Sequence, residues 1–158
     1  VATPDDCHGS GIFIPAGLGK TPQLIITEGP TDTAALLDLG FDAIGRPSNT
    51  GGTDIIRSFV TMQTLAMGWT EVVLLIDRDK PGSDASKNTW RGARTLAAAL
   101  ESARRSVRIC QPPYGIKDAR DWLRSGANED DVMGVIDGEE PLVRGKYDWM
   151  KTGNTHAA

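Results

Sequence analysis

Residues 72–79 read Val72-Val73-Leu74-Leu75-Ile76-Asp77-Arg78-Asp79, a run of five apolar side chains followed at once by two aspartates. A continuous apolar and β-branched run of this length is typical of a parallel strand that helices cover on both faces. A second run with a similar ending lies upstream, because Leu24-Ile25-Ile26-Thr27 leads directly into Glu28. The two runs predict two strands of an α/β sheet, each with an acid at its carboxyl end.

The acids that follow the two strands are expected to lie close together. Parallel α/β sheets bind ligands at the carboxyl ends of their strands, and Glu28, Asp77 and Asp79 would all lie at that edge. Clustered carboxylates repel one another unless a cation lies between them, and oxygen ligands suit Mg²⁺ or Mn²⁺. The pattern therefore predicts a divalent-metal site at the sheet edge and favours phosphoryl-transfer chemistry.

Helical patterns separate the strand-like runs along the rest of the chain. This alternation predicts a doubly wound, Rossmann-like α/β sheet of about four mainly parallel strands with flanking helices. Thr53 is expected to cap the second helix, whose apolar residues would include Ile55, Ile56, Val60 and Leu65. We divide the chain into an N-terminal connecting segment, one α/β domain and a C-terminal helical or irregular tail. Their ranges are residues 1–22, 23–126 and 127–158.

The composition is that of an ordinary globular protein, with 39% hydrophobic and 24% charged residues among 158. No apolar run approaches the ~20 residues that span a bilayer, so no membrane partner is expected. The formal net charge of −4 is unlike that of most freestanding nucleic-acid binders, which are basic, but part of the acidity belongs to the predicted metal site. With only Cys7 and Cys110, a disulfide framework is excluded, and reduced thiols favour a cytoplasmic location.

Two acidic motifs, taken together, resemble the TOPRIM domain. That domain is shared by bacterial and phage primases, type IA and type II topoisomerases, OLD-type nucleases and recombination-repair proteins. The motifs are Glu28-Gly29-x-x-Asp32 after the first strand and Asp77-x-Asp79-x-x-Gly82 after the third, and the resemblance covers about residues 23–126. Residues 14–17, 40–47 and 117–123 look like those of phage and mobile-element primases or primase-helicases.

The resemblance implies a TOPRIM fold and the catalytic domain of a DNA primase or primase-helicase. Such a domain is a metal-dependent nucleotidyltransferase that supports RNA primer synthesis from nucleoside triphosphates on a single-stranded DNA template. Glu28, Asp77 and Asp79 would be its catalytic residues and would hold Mg²⁺ or Mn²⁺, with Asp118 as a further ligand. A complete primase also has a preceding catalytic subdomain and often a zinc-binding module, neither of which is in this chain. The chain alone is therefore expected to be inactive, and zinc-binding and helicase domains of a parent protein are expected partners.

Further charged residues are candidates for supporting roles. Asp32 and Asp121 would lie behind the metal ligands. Alternatively, Asp32 could simply stabilise the first turn of a helix, Asp118 could be a helix cap and Asp121 could be a surface acid. Basic residues near the sheet edge could contact nucleotide or nucleic-acid phosphates, or could belong to solvated surfaces. These basic candidates are Arg46, Arg78, Lys80, Lys87 and Arg91.

Other functions remain open on the sequence. Metal-dependent DNA cleavage, as in topoisomerases or OLD-type nucleases, is one alternative, although Tyr114 and Tyr147 lie in no recognisable cleavage motif. A non-catalytic TOPRIM binding module is another, but the intact set of acids argues against it. A phosphatase of the haloacid-dehalogenase type also uses Asp-x-Asp, and the Lys80-Pro81 that follows Asp79 disfavours it.

Overall fold

The computed structural model of the chain describes residues 11–103 and 105–142. Within these residues, the strands are β1 Gln23–Glu28, β2 Asp42–Arg46, β3 Glu71–Leu75 and β4 Ser106–Cys110. The helices are α1 Gly29–Asp38, α2 Thr53–Met67, α3 Asp84–Ser102, α4 Ala119–Arg124 and α5 Glu129–Gly138. The strands form one parallel sheet in the order β2-β1-β3-β4. The predicted α/β class with a four-stranded parallel sheet is confirmed.

Helices cover both faces of this sheet, which explains why the central strands are continuously apolar. On one face, α2 and α3 bring Ile56 and Leu96, both fully buried, against β1 and β3. On the other face, α1, α4 and α5 supply Leu36, Trp122 and Ile136. The core is therefore two apolar layers separated by the sheet.

The strand order creates a crevice above the centre of the sheet. From β1 the chain passes through α1 to β2 on one side, whereas from β3 it passes through α3 to β4 on the other side. At such a switch point the connections leave in opposite directions, and the gap between them is the usual ligand site of an open α/β sheet. In this chain the gap lies between the carboxyl ends of β1 and β3.

The start and the buried face of α2 differ from the expectation. Gly52, with φ of +76°, is the N-cap and provides no side-chain cap, so Thr53 is the first helical residue. Ile55 and Leu65 are 48% and 91% exposed, and the buried side is formed by Ile56, Val60 and Thr64. Adjacent helical residues lie about 100° apart, so Ile55 and Ile56 cannot both face the sheet.

The segment before β1 and the helix after α4 both pack on the sheet. Phe13 exchanges two backbone hydrogen bonds with Gly45 at 2.8 and 2.9 Å, in an antiparallel bridge at the β2 edge. The buried carboxylate of Asp42 accepts hydrogen bonds from the backbone of Gly19 at 2.7 Å and from the indole of Trp69 at 2.7 Å. At the other end of the described chain, α5 buries Val132 and Ile136.

Some expectations concern residues that the structure does not describe. Cys7 and residues 143–158 of the expected tail lie outside the described residues. The thiol of Cys110 is free and buried, and burial raises its pKa to about 12. Between residues 11 and 142, leaving out residue 104, no helix has the length and apolar character needed to cross a membrane.

Candidate active site

The crevice at the switch point brings Glu28 and Asp77 together. Glu28 ends β1 and is also the N-cap of α1, where Gly29 turns the chain with φ of +73°. Asp77 follows β3 by two residues. Both residues line one small cavity at the end of the sheet, together with Arg46, Asn49 and Thr89. Of the three acids expected to converge, Glu28 and Asp77 do so here, whereas Asp79 is not among the residues that line this cavity.

Asp77 is the member of this acidic group whose pKa is raised most. Its side chain is only 19% exposed, and burial, followed by the charges of Asp32 and Glu28, raises its pKa to about 6. Asp118 adds to the same effect, whereas Lys117, whose Nζ lies 4.0 Å from Asp77 Oδ2, opposes it. Three other carboxylates, those of Asp32, Glu28 and Asp118, thus act on Asp77 at this edge of the sheet, and Asp79 is not one of them.

Asp32 and Asp118 connect α1 to α4 behind Asp77. Asp32 is 7% exposed; burial raises its pKa, and its Oδ1 accepts a hydrogen bond from the backbone N–H of Arg120 at 3.1 Å. Asp118 is the N-cap of α4, and its Oδ1 accepts from the backbone N–H of Asp121 at 2.8 Å. Its Oδ2 lies 3.4 Å from the guanidinium of Arg120. Both oxygens of Asp118 therefore have protein donors, and its helix-capping role is present.

Asp79 is oriented by α3. Its Oδ2 accepts a hydrogen bond from the hydroxyl of Thr89 at 2.9 Å, and that hydroxyl accepts one from the side-chain amide of Asn49 at 3.3 Å. The strand ends at Leu75, so the alternation of a strand does not set the directions of Asp77 and Asp79. The structure places Asp77 among the other acids and ties Asp79 to the neighbouring helix.

Asn49, Thr89 and Gly92 form a contact that the sequence-based reasoning missed. A Cβ atom at Gly92 would lie 1.8 Å from the backbone oxygen of Asn49, so the loop of residues 47–52 packs directly on the helix there. The available signal was a glycine inside a long helix, which costs about 1 kcal/mol relative to alanine and indicates a packing reason. This contact places Asn49 beside Thr89 and therefore fixes the hydrogen bond to Asp79.

Arg46 lies inside the site and is 5% exposed. Its Nε and Nη2 donate to the backbone oxygen of Gly51 at 3.3 and 3.2 Å, which closes the loop of residues 47–52. Burial lowers its pKa to about 10, against the opposing effect of Glu28, so it is charged at neutral pH. In this arrangement Arg46 holds the loop and balances the charge of Glu28.

The other basic candidates lie in two places. Arg78 and Lys80 line an open cleft between the loops that follow β3 and β4, and Arg78 Nε donates to the backbone oxygen of Pro112 at 2.7 Å. Lys87 and Arg91 are exposed on α3, where Lys87 pairs with Asp84 at 3.3 Å. The structure therefore separates the expected phosphate contacts into a cleft and a helix surface.

The acidic group has the chemistry of a site for a hard divalent cation. Among residues 11–103 and 105–142, no three Asp, Glu, His or Cys side chains are arranged to hold a metal ion by themselves. Mg²⁺ at phosphate sites is usually bound through one or two carboxylates together with water and substrate phosphates. Glu28 and Asp77 supply such a pair. Burial and, after it, the charges of the neighbouring acids raise the pKa of Asp77, and a bound cation would offset both effects. The residues fit a cation shared with a phosphate ligand and do not form a complete protein cage.

Searches with protein-family profiles and among curated proteins found no match. Solved structures that match include the primase fragment of the bacteriophage T7 primase-helicase protein, at 16% identity and a TM-score of 0.47, over 72% of this chain and 43% of that chain. The RNA polymerase domain of the Mycobacterium tuberculosis primase DnaG matches in complex with double-stranded DNA, at 18% identity and a TM-score of 0.49, over 76% of this chain and 35% of that one. The same domain without DNA matches at 19% identity and a TM-score of 0.47, over 78% and 38%.

The chain thus spans between 35% and 43% of the length of these solved chains. At these identities and TM-scores, function has to be inferred from the geometry of the site.

Proposed function

We propose that this chain is the TOPRIM catalytic domain of a DNA primase or primase-helicase from a phage or mobile element. In the parent protein, which would act in the cytoplasm with zinc-binding and helicase domains, it would support RNA primer synthesis on single-stranded DNA. Its cofactor would be Mg²⁺ or Mn²⁺. The isolated chain would bind the metal and phosphates but would not make primers.

The observation that carries this proposal is the convergence of Glu28 and Asp77 at the switch point of the sheet. Asp77 is largely shielded from solvent, with a side chain that is 19% exposed, and its pKa is raised to about 6 by burial and by the neighbouring acids. Carboxylates gathered at one edge of the sheet repel one another and destabilise the fold, and a bound cation would remove this repulsion. Phosphoryl transfer needs such a cation beside the reacting phosphates.

Within this proposal the residues have separate tasks. Glu28 and Asp77 would hold the cation, which would supply charge neutralisation for the triphosphate, and Glu28 could also accept the proton of an attacking 3′-hydroxyl. Asp79 and Asp118 would join the ligand set once substrate is bound, and Asp32 and Asp121 support α4 behind them. The basic residues around the crevice would bind phosphates. They are Arg78, Lys80, Lys87 and Arg91, while Arg46 closes the adjacent loop.

A Mn²⁺ titration followed by amide NMR tests the metal site. The amides of residues 28–32 and 77–82 are expected to broaden selectively at sub-millimolar Mn²⁺, because paramagnetic broadening falls off steeply with distance. Glu28→Gln and Asp77→Asn should each remove this effect. Asp84→Asn is the matched control, since Asp84 is an exposed acid outside the crevice, paired with Lys87. Equal broadening in Asp77→Asn and Asp84→Asn would contradict the proposal.

A separate assay distinguishes primer synthesis from DNA cleavage. Supercoiled plasmid incubated with the chain and Mn²⁺ is expected to stay intact, because the proposed site transfers nucleotides to a 3′-hydroxyl and does not hydrolyse strands. Nicking that disappears in Glu28→Gln would instead favour the nuclease or topoisomerase alternative.

A further inference from the structure

A second, larger concavity lies next to the acidic crevice. It opens between the loop that follows β3 and the loop that follows β4, and its volume is about 830 Å³ including the open side. Asp79 and Lys117 belong to its lining. Because Lys117 Nζ lies 4.0 Å from Asp77 Oδ2, a ligand in this cleft would reach the edge of the acidic group.

The lining of the cleft is basic in a chain that is acidic as a whole. Arg78, Lys80 and Lys117 contribute three positive charges against one carboxylate, that of Asp79, whereas the chain has a formal net charge of −4. The hydrogen bond from Arg78 Nε to the backbone of Pro112 ties this guanidinium to the far wall. Such a local excess of positive charge attracts phosphate groups.

Aromatic rings accompany these cations. Tyr114 is 93% exposed, in a turn that Gly115 completes with φ of +90°. Trp90, on α3, is half-buried on the core and also lines the cleft, with the guanidinium of Arg94 5.3 Å from its ring centroid. Basic grooves with accessible aromatic rings are the means by which proteins bind unpaired bases, which stack on the rings while cations meet the phosphates.

We propose that this cleft binds an unpaired nucleotide of a single-stranded nucleic acid, with its base stacked on Tyr114. The flanking phosphates contact Lys80, Arg78 and Lys117. The nucleic-acid strand then continues toward Glu28 and Asp77. The proposal deepens the proposed function and rests on it for identifying the anionic ligand as nucleic acid. A duplex has no free base face for Tyr114, so the cleft favours unpaired strands.

Fluorescence anisotropy with a labelled oligothymidylate tests the cleft, in low salt and with EDTA so that no divalent cation contributes. Tyr114→Ala should weaken binding roughly tenfold, the usual effect of removing one stacking ring, and Tyr114→Phe should bind like the wild type because it keeps the ring. Leu65→Ala is the matched control, since Leu65 is 91% exposed on α2 outside the cleft. A duplex of equal length should bind more weakly and should not respond to Tyr114→Ala.

The cationic part of the proposal is tested by the salt dependence of the same binding. Lys80→Gln should lower the slope of log affinity against log salt by about 0.7, the value for one phosphate contact on a single strand. Lys20→Gln, at an exposed lysine before β1, should leave the slope unchanged. Equal slopes for wild type and Lys80→Gln would overturn the assignment of this lysine to the strand.

The proposal is overturned if the wild type does not bind the oligonucleotide, if Tyr114→Ala binds as tightly as the wild type, or if Tyr114→Phe loses as much as Tyr114→Ala. The Mn²⁺ titration on the same samples separates this failure from that of the proposed function. If Mn²⁺ broadens residues 28–32 and 77–82 selectively but oligonucleotide binding does not depend on Tyr114, the proposed cleft is refuted and the metal site is not. Tyr114-dependent binding without selective broadening supports the cleft and refutes the metal site.

Discussion

At the scale of single residues, the ionised carboxyl group of Asp77 lowers the free energy of unfolding of the chain. Its carboxyl group has a pKa of about 6 in the folded chain, against an ordinary value of 3.8. Between these values the folded chain holds more protons than the unfolded chain, so the free energy of unfolding falls as the pH rises from about 4 to about 6. The stabilisation that the protonated carboxyl group of Asp77 provides is fully present below the pKa of the unfolded chain and is lost above the pKa of the folded chain.

Asp77→Asn is therefore expected to stabilise the chain at neutral pH without divalent cations. The expected gain in the free energy of unfolding is about 1–2 kcal/mol at about pH 7, and it should vanish near pH 4, where the wild-type carboxyl group is largely protonated in the folded chain. Urea denaturation in EDTA at both pH values measures it, with Asp84→Asn as the exposed control. A neutral or destabilising effect of Asp77→Asn at pH 7 would mean that the ionised carboxyl group of Asp77 does not destabilise the folded chain.

At the scale of elements, the packing of the loop 47–52 on α3 sets the position of Asp79. Gly92→Ala would place a methyl group against the backbone oxygen of Asn49. The loop would then have to move, which breaks the bond from Asn49 to Thr89 and loosens the bond from Thr89 to Asp79. Although alanine favours a helix by about 1 kcal/mol over glycine, the clash should outweigh this and reduce the free energy of unfolding by about 1–3 kcal/mol.

Gly134→Ala provides the matched control for that substitution. Gly134 also lies inside a helix, α5, but a Cβ atom there would meet nothing within 4 Å. The same chemical change should therefore raise the free energy of unfolding by up to about 1 kcal/mol. Urea denaturation of both variants measures the change in the free energy of unfolding, which should be negative for Gly92→Ala and positive for Gly134→Ala. Stabilisation by Gly92→Ala would show that the loop of residues 47–52 moves away without loss of stability.

The elements also explain which parts of the site could be predicted from the sequence. Glu28 and Asp77 follow buried apolar runs, and in a parallel sheet such residues must lie at the carboxyl edge, so their convergence was predictable. The pairing of Asp32 with the backbone of Arg120 joins residues 88 apart in the sequence and depends on how α4 packs on α1. Local patterns carry no information on such packing. The direction of Asp79 was equally out of reach, because the chain has left the strand before it.

At the scale of the whole molecule, residues beyond the domain boundary expected from the motifs pack against the sheet. The expected domain ended at residue 126, yet α5 lies beyond it and buries Ile136, which is 1% exposed. This side chain belongs to the same apolar layer as Ile25 of β1 and Leu75 of β3. In addition, Leu142 donates a backbone hydrogen bond to Val107 of β4 at 2.8 Å. We therefore propose that residues 127–142 fold together with the sheet.

Ile136→Ala measures this coupling. If α5 and the sheet unfold as one unit, the cavity left by the substitution should lower the free energy of unfolding of the whole chain by about 2–4 kcal/mol. Amide hydrogen exchange of β1, far from residue 136 in the sequence, should then accelerate by the corresponding factor. Leu65→Ala, at an apolar side chain that is 91% exposed, should change stability by less than about 0.5 kcal/mol. Faster exchange confined to α5 would instead make this helix an appendage, and the unit that positions Glu28 and Asp77 would end near residue 126.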